Sequence, residues 1–442
     1  MDYYTGMNQR YRILITSIDS CSHINCALNF GQLLAENGHE ITFTQRHHNQ
    51  HYADKYNFNF IPFDEFLFIP EPTIKPFVLW VLKNITRFRS DAFSRYLGWN
   101  DEDREIFSSA IDEARITDKA LGQILDQYKG QFDIVIGDFI YRYPSLHTSS
   151  IPFIQLFSLN PLLLYPNGPP AYSGYSVNVD RRASQKFRII FNTAASRLRD
   201  KLYSWWSFHG LPASPQWFIN EPQYFGFYHY PEALDYLECG PKFSDKWIRI
   251  DPCINVQPEN CEAYRLPYYL SYQNNKLIFV SLGKLGSIDV DLFNTFLNIL
   301  GETPYRYIVS KGPRSDEIHL RDNMCGDKYI DPKSVHSIVD LIITHGGNSS
   351  FAETINAGKP LVMIPFFLDQ FDNAQRVVDC GIGKRLDCWN FEPDIVMKVI
   401  DDALNDTKMR DKARQISQSM RKSTTRQEAK NLIEAFISTL KI

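Results

Sequence analysis

The sequence has no excess of charge of either sign, because 47 Lys and Arg face 51 Asp and Glu in 442 residues. Without a basic surface field, neither a nucleic acid nor an acidic membrane is the expected partner. No segment approaches the ~18 consecutive apolar residues of a membrane-spanning helix, and the N-terminus lacks a basic leader followed by an apolar core. We therefore expect a cytoplasmic, monomeric protein without a membrane anchor.

The sequence also lacks the cysteine spacing of a disulfide framework or a metal site. Its eight cysteines are scattered without a CxxC pair, which favours reduced thiols. There is no solenoid-type repeat and no low-complexity tract. Since the chain is longer than the roughly 250 to 300 residues at which a single core stops growing, we expect two domains.

The N-terminal part alternates between strand and helix patterns. The β-branched run "YRILITSI" is followed by the polar turn "DSCSH", the helical pattern "INCALNFGQLLAENGHE" and a second strand, "EITFT". This order predicts a parallel βαβ unit. "FDIVIGDFI" at 132–140 and "IPFIQLFS" at 151–158 predict two more buried strands, while 65–130 predicts helices outside the sheet.

The C-terminal part repeats this alternation after an irregular, Pro- and Tyr-rich region at 229–270 that is typical of a domain connection. Predicted strands there are "KLIFVSLG", "YRYIVS", "KYI" at 328–330, "LIITH" and "PLVMIP". The last thirty residues predict one amphipathic helix. The fold class is thus α/β, with two doubly wound domains at 1–240 and 271–415, a linker at 241–270, and a C-terminal helix at 416–442 that packs back on the N-terminal domain.

The stretch "THGGNSSFAETINAGKPLVMIPFFLDQFDN" carries the pattern of an anion site. Ligands of parallel sheets bind at the carboxyl ends of strands, where helix N-termini offer free N–H groups. Here the strand leads into His345 and two glycines, and Asn348, Ser349 and Ser350 begin a helix. We predict a diphosphate at this turn and a ribose diol at Glu353. Asp369, Gln370 and Asn373 follow the next strand and suit the hydroxyls of a sugar.

A candidate catalytic pair lies in the N-terminal part. His23 follows the first strand, and Asp138 ends the strand "DIVIGD". Histidine suits the deprotonation of a hydroxyl because its pKa lies near neutral pH, and a carboxylate can stabilise the imidazolium that forms. We predict that His23 is a general base and that Asp138 orients it.

These motifs resemble those of the UDP-glycosyltransferases of glycosyltransferase family 1. "THGGNSSFAETINAGKPLVMIPFFLDQFDNAQR" is similar to their donor-binding signature, and "SHINCALNFGQLLAENGHEITF" and "FDIVIGDFIY" to their histidine loop and aspartate strand. The absence of a leader and an anchor resembles the bacterial, plant and mite members, and "FGFYHYPEALDY" resembles the mite enzymes. The resemblance implies a GT-B fold in which two Rossmann-like domains face a cleft, with acceptor bound by the N-terminal domain and UDP-sugar by the C-terminal domain.

The implied activity is inverting, metal-independent transfer of a hexose, glucose by analogy, from a UDP-sugar to a hydroxyl of a lipophilic small molecule such as a flavonoid or phenol, as in detoxification of xenobiotics. No cofactor is implied beyond this donor. The residues that match donor-binding positions are Ser281, Gly283, Gly286, Ser287, His345, Gly347, Asn348, Ser349, Ser350, Glu353, Asp369 and Gln370.

The sequence departs from the family pattern at three places. Ser349 stands where the pattern has Asn, and Lys284 stands where a small Ser is common. The Trp-x-Pro-Gln element that holds uracil has become "YIDPKSV" at 329–335. The third departure leaves the uracil of the donor without its usual aromatic and amide partners.

The sequence also allows other functions and other roles for some of its motifs. The chain could be a nucleotide-sugar 2-epimerase or hydrolase on the same scaffold, or a non-catalytic carrier of sugar nucleotides or lipophiles. "DVD" at 289–291 superficially resembles an Asp-x-Asp metal motif, although acidic residues commonly begin helices. "RHHNQH" at 46–51 could hold a metal but favours a solvated loop, and the aromatic clusters at 63–70 and 205–210 fit an acceptor pocket or a core equally well.

Overall fold

Two all-parallel sheets, one in each half of the chain, form the framework of the protein in a computed structural model. The structure describes residues 10–66, 76–214, 219–254, 263–271 and 273–440. Residues 67–70 of the predicted aromatic cluster, and 255–262 of the predicted connection, lie outside this range.

The strands are apolar runs rich in β-branched and aromatic residues, as expected for strands buried on both faces. In the first sheet they are β1 Arg12–Ser17, β2 Glu40–Gln45, β3 Asn59–Pro62, β4 Ile134–Asp138, β5 Phe153–Phe157, β6 Gly226–His229 and β7 Trp247–Ile250. In the second they are β8 Leu277–Ser281, β9 Arg306–Ser310, β10 Met324–Asp327, β11 Leu341–Thr344, β12 Leu361–Met363 and β13 Gly383–Arg385.

Helices cover both faces of each sheet. Those of the first half are α1 Cys21–Ala35, α2 Gln50–Tyr56, α3 Pro76–Lys83, α4 Ala92–Leu97, α5 Asp101–Gln127, α6 Pro144–Thr148, α7 Arg181–Ala194 and α8 Ser196–Phe208. Those of the second half are α9 Tyr268–Ser271, α10 Gly283–Gly286, α11 Val290–Gly301, α12 Pro332–His336, α13 Asn348–Ala357, α14 Asp369–Asp379, α15 Pro393–Asn405, α16 Thr407–Lys422 and α17 Thr425–Leu440.

Each sheet reverses its strand order at one point, and these two points position the candidate residues. The orders are β3-β2-β1-β4-β5-β6-β7 and β10-β9-β8-β11-β12-β13. The chain therefore switches direction between β1 and β4 in one sheet and between β8 and β11 in the other. A crevice opens at the carboxyl ends of such strand pairs because the following helices leave on opposite sides.

The architecture agrees with the predicted α/β class, but three local predictions are wrong. Residues 328–330 follow β10 instead of forming a strand, because the buried pair Met324 and Cys325 supplies the strand core. The predicted linker contains β7, whose short pattern "WIRI" buries Trp247 at the edge of the first sheet. The predicted single terminal helix is broken between α16 and α17 at 423–424.

Apolar packing joins the two halves as well as the layers within each half. One buried cluster contains Phe157, Tyr230 and Trp247 from the first half together with Phe279 and Phe351 from the second. The rings of Tyr230 and Phe351 stack with centroids 5.5 Å apart. This contact forms part of the base of the cleft between the halves.

The last helix belongs structurally to the first half. Ala429, Ile433 and Ile437 of α17 pack in the cluster that lies against α1 and the first sheet. Glu434 accepts hydrogen bonds from the Asn37 side chain at 2.7 Å and pairs with His39 at 2.9 Å. The chain thus returns from the second half to close the first. Within the described residues, no helix is long and apolar enough to cross a membrane.

Replacing Ile433 by Ala should lower the free energy of unfolding by about 2–5 kcal/mol, because the fully buried side chain leaves a cavity. The control is Leu432→Ala at the neighbouring position, which is 37% exposed and should change stability by less than about 0.5 kcal/mol. Urea denaturation followed by circular dichroism measures both. Equal losses for the two variants would contradict the packing of α17 described above.

Candidate active site

The side chains of His23 and Asp138 meet at the switch point of the first sheet. Ser17 of β1 pairs with Asp138 of β4, and His23 lies in the first turn of α1, directly after β1. Its Nδ1 is 3.0 Å from Asp138 Oδ2. A carboxylate can only accept, so Nδ1 carries the proton and donates it, which leaves Nε2 as the basic atom.

The surroundings of this pair favour a charged imidazolium. Burial by itself lowers the pKa of His23, but the carboxylate of Asp138 and, less strongly, that of Asp369 outweigh burial and hold the pKa above its ordinary value. Ser158, directly after β5, donates its backbone N–H to Asp138 Oδ1 at 3.2 Å, and its hydroxyl lies 3.1 Å from His23 Nδ1. Asp138 is thus fixed from two sides.

Asp369 brings a second carboxylate from the other half toward the same histidine. It is the first residue of α14 and is 9% exposed. Burial raises the pKa of Asp369 to about 6, although the charge of His23 and the backbone of Asp369 and Asn160 lower it. The predicted sugar contact in the second half therefore lies close enough to the predicted base in the first half for each to shift the pKa of the other, which the sequence could only suggest.

The turn after β11 has the geometry of an anion site. Thr344 pairs with Ser281, so the loops that follow β8 and β11 emerge side by side. The imidazole of His345 packs on Gly283, where a Cβ would lie 2.5 Å from its ring, and on Gly347, where a Cβ would lie 2.7 Å from Nε2. Burial lowers the pKa of His345 to about 4, with an opposing effect from the Ser281 backbone, so the ring is neutral at neutral pH.

The first residues of α13 reach across to the first half. Asn348 donates its side-chain amide to the backbone carbonyl of Ser158 and accepts from Asn373 at 3.3 Å. Ser349 donates its hydroxyl to the carbonyl of Ser22 at 3.3 Å. These side chains therefore join the halves.

Two residues of the predicted sugar-binding set have different positions from those expected. Gln370 accepts hydrogen bonds with its side-chain oxygen from the N–H groups of Phe366 and Phe367, at 2.9 and 3.1 Å, so its Nε2 group is the remaining donor. Asn373 is fully buried and bonds Gly346 O at 2.8 Å and the Asn160 amide at 2.8 Å. The prediction that Asn373 binds a sugar hydroxyl is therefore wrong, because its side-chain amide forms hydrogen bonds with protein groups between the halves.

The facing loop after β8 is also only partly as expected. Ser281 ends the strand and Gly283 adopts a φ of +66°, which places its backbone against His345. Gly286 is buried, and a Cβ there would lie 2.6 Å from Phe366. Ser287 is completely buried and donates to the carbonyl of Gly283 at 2.5 Å. Gly286 and Ser287 thus shape the loop from inside and do not face a ligand.

Glu353 and Tyr329 are close enough to influence each other electrostatically. Burial raises the pKa of Glu353, while Lys333 and Lys55 lower it. The electrostatic neighbours of the Tyr329 hydroxyl include Glu353 and Cys21, so this tyrosine faces the cleft; its side chain is 74% exposed. The sequence pattern at 329–335 indicates that the tryptophan is missing, but it does not indicate that Tyr329 lies near Glu353.

The candidate metal motifs have other partners in the structure. Asp289 caps the N-terminus of α11 by accepting from Leu292 N–H at 3.2 Å, and it binds Arg89 through two hydrogen bonds of 2.8 and 2.6 Å. His48 pairs with Asp19 at 3.6 Å, and His51 bonds the carbonyl of His48. The described ranges contain no group of three or more His, Cys, Asp or Glu that could hold a metal ion.

The aromatic residues at 205–210 divide between core and surface. Trp205 and Trp206 are buried, whereas Phe208 is 85% exposed. Trp205 and Phe208 line an open cavity of about 900 Å³ together with the segments that precede β4 and β5. Because this cavity lies at the amino ends of those strands, it is on the opposite edge of the sheet from His23 and is not the acceptor site.

Aromatic residues from other segments lie next to Asp138 in the chain or near Asp369 in space. Phe139 follows Asp138 directly, and Tyr141 and Tyr172 pack in the same buried cluster. Burial raises the pKa of Tyr172, and the charge of Asp369 adds to this effect. The signal for Tyr141 was present in "GDFIYRYP" at 137–144, which continues the aspartate strand, whereas nothing in the sequence ties Tyr172 to the site.

Comparisons with known proteins identify relatives of this chain and structures with a similar fold. Residues 285–434 match the model of the glycosyltransferase family 28 C-terminal domain. Solved structures with a similar fold include the glycosyltransferase of kitacinnamycin, with a TM-score of 0.71 at 18% identity over 97% of this chain and 99% of that one. The calicheamicin glycosyltransferase CalG4 has a TM-score of 0.65 at 17% identity over 98% and 99%. The fold is therefore GT-B.

Among curated relatives, an uncharacterised UDP-glucosyltransferase of Bacillus subtilis is 24% identical over 44% of this chain and 48% of its own length. An ecdysteroid UDP-glucosyltransferase of the Spodoptera littoralis nuclear polyhedrosis virus is 29% identical over 35% and 32%. The oleandomycin glycosyltransferase of Streptomyces antibioticus is 23% identical over 76% of both chains. The chain spans about half or less of the first two relatives. These similarities confirm the resemblance to UDP-glycosyltransferases that the motifs predicted.

Replacing Gly283 by Ala should weaken nucleotide binding and destabilise the fold, because the new Cβ would collide with His345 as well as require a positive φ. Gly381→Ala is the matched control: its φ is +59° but no atom lies within 4 Å of its Cβ position. In that control, backbone strain alone should lower the free energy of unfolding by about 1–2 kcal/mol, and the affinity for UDP should stay unchanged. Thermal unfolding and titration with UDP separate the two effects, and equal UDP affinities would contradict the packing of His345 on this loop.

Proposed function

Since the chain has the GT-B fold and its C-terminal half matches a glycosyltransferase domain, we propose that it transfers a hexose, glucose in the first instance, from a UDP-sugar to a hydroxyl of a lipophilic small molecule. The observation that carries this proposal is the hydrogen bond of 3.0 Å between His23 and Asp138, with the carboxylate of Asp369 from the other half close enough to raise the pKa of His23 further. A binding protein has no need for a base that is oriented in this way.

The proposed mechanism is a single displacement with inversion at the anomeric carbon. His23 Nε2 removes the proton of the acceptor hydroxyl as its oxygen forms a bond to that carbon. The bond from the carbon to the diphosphate oxygen breaks, and the electron pair leaves with UDP. Asp138 stabilises the imidazolium, and the N–H groups at the start of α13 stabilise the anion that departs. No step in this scheme requires a metal ion.

The donor specificity is supported by the polar groups along the cavity. Glu353 is placed to accept from a ribose diol, and the neighbouring Tyr329 offers an aromatic face for the base, since Ile330 is buried in the core. Asp369 and the Nε2 group of Gln370 suit hydroxyls of the sugar. A glycosyltransferase of Streptomyces that has the same fold, at 15% identity and a TM-score of 0.57, was solved in complex with thymidine diphosphate, a related nucleoside diphosphate.

An apolar acceptor fits the surroundings of the base. Phe139 and Tyr141 follow Asp138, and Tyr172 covers Asp369 from the loop after β5. Such rings bind an apolar body while leaving one hydroxyl near His23. We extend the proposal to conjugation of phenols and flavonoids, as in the detoxification of foreign compounds.

Incubation with UDP-glucose, UDP-glucuronate, UDP-galactose and UDP-GlcNAc and a panel of phenols and flavonoids, followed by mass spectrometry, tests the proposal. We expect a mass increase of one hexose with UDP-glucose and at least one phenol. Conversion of UDP-GlcNAc without an acceptor would identify an epimerase or hydrolase instead. Binding of UDP-sugar without any product would identify a carrier.

His23→Ala should lower the rate of transfer by about 10²–10⁴-fold, because the acceptor loses its general base. UDP binding should persist, since His23 does not lie at the predicted diphosphate position. Initial rates of transfer at saturating donor and titration with UDP compare this variant with the original protein. Full transfer activity in this variant would rule out the mechanism.

Transfer should slow as the pH falls, because protonation of His23 removes the base. Asp138→Asn should move the midpoint of the profile of kcat/KM to lower pH, since the carboxylate that raises the pKa of His23 is lost. The plateau rate should also fall, because the imidazolium is less stabilised. A midpoint that stays in place would show that Asp138 does not set the charge of His23.

A further inference from the structure

The predicted diphosphate site lacks a full positive charge among the residues that the sequence assigned to it. His345 is neutral at neutral pH, and Asn348 and Ser349 are uncharged and engaged with the first half. The N-terminus of α13 offers only about half an elementary charge. A departing nucleoside diphosphate carries more negative charge than this helix end can offset.

Lys284 is the cation that stands at this position. It follows Gly283, whose backbone packs on His345. Its ammonium lies 3.2 Å from the sulfur of Cys21, the first residue of α1. The next residue, Ser22, accepts the hydrogen bond of Ser349 from the start of α13. The ammonium thus lies where the N-termini of α1 and α13 approach each other across the cleft.

Among the residues that the structure describes, two arginines near the cleft already have partners. Arg89 is held by both carboxylate oxygens of Asp289. Arg95 donates to the backbone carbonyls of Phe88, Ser90 and Phe366.

Three further basic groups serve other positions. Arg376 donates to Leu234 O, Asp235 O and both oxygens of Glu238. Lys55 and Lys333 influence Glu353, at the ribose end. By contrast, Lys284 is exposed and its ammonium contacts a thiol, a weak acceptor that a phosphate oxygen can readily displace.

We propose that Lys284 is a diphosphate-binding residue, whose ammonium leaves Cys21 and donates to the phosphate oxygens when the donor binds. The inference rests on the proposed function for the identity of the anion. In the transfer step the electron pair of the broken bond moves onto a β-phosphate oxygen, and the ammonium of Lys284 stabilises that oxygen by a charge-assisted hydrogen bond. The departure from a small serine at this position thus adds a charge to the site.

Titration with UDP, UMP and uridine by calorimetry tests this role without requiring transfer. Lys284→Met should weaken UDP binding by about 10-fold or more, because a charge-assisted hydrogen bond is lost, and should leave uridine binding unchanged. Lys284→Arg, which retains the charge, should stay within about 3-fold of the original UDP affinity. The original protein should lose UDP affinity with added salt more steeply than the Met variant does.

Lys276→Met is the matched control. Lys276 stands at the opposite end of β8 and pairs with Asp340 at 2.9 Å, so its loss should leave UDP affinity unchanged. A folded Lys284→Met variant that binds UDP as tightly as the original protein would overturn the role of Lys284. Failure of the original protein to bind any UDP would overturn the proposed function itself, and the inference with it.

The alkylation of Cys21 by iodoacetamide gives a second measurement that needs no nucleotide. Burial raises the pKa of this thiol, but Tyr52, at 3.0 Å, and Lys284 outweigh burial and lower it. Lys284→Met should therefore slow the modification of Cys21 at neutral pH several-fold, as read by peptide mass spectrometry. An unchanged rate would show that the ammonium does not reach the start of α1, and the proposal would lose its geometric basis.

Discussion

The buried polar face of α14 is the feature on which the arrangement of the site depends. Asp372 accepts the backbone N–H groups of Tyr172 and Gly174 at 2.6 and 3.0 Å, and Asn373 bonds Asn160 across the same interface. Burial raises the pKa of Asp372 to about 7. Groups of this kind are costly to bury unless every partner is present, so the two halves have one favourable orientation. That orientation is what brings Asp369, at the start of the same helix, to His23.

Both halves use the same property of a parallel sheet to form their side of the cleft. The switch points between β1 and β4 and between β8 and β11 present helix ends and polar side chains at the carboxyl edges. In the first half this edge carries His23 and Asp138, joined by a hydrogen bond. In the second it carries glycines and helix N–H groups suited to an anion. The two halves therefore differ in the side chains at this edge, although their parallel sheets are nearly equivalent frameworks.

Much of the fold was accessible from the sequence, because buried parallel strands are continuous apolar runs. β1, β2, β4, β5, β8, β9, β11 and β12 coincide with predicted runs. Strands β3, β6, β7 and β13 were missed, since strands of three or four residues at or near sheet edges carry little periodic signal. The catalytic and donor motifs were likewise local patterns of residue type and spacing. Asn373, Gly286 and Ser287 were predicted to contact the donor but are buried inside the protein, because a sequence motif does not specify the direction of a side chain.

The sequence by itself determined the α/β class, two domains, and the strand-end residues His23, Asp138, His345 and Glu353, because periodicity and position after a strand are local properties. Only the tertiary structure decided which of these groups share a cavity. Ser158 supports Asp138 from β5, Tyr329 stands beside Glu353, and Lys284 reaches Cys21 across the cleft. Contacts between residues this far apart in the chain depend on the packing of one half on the other, which no local pattern encodes.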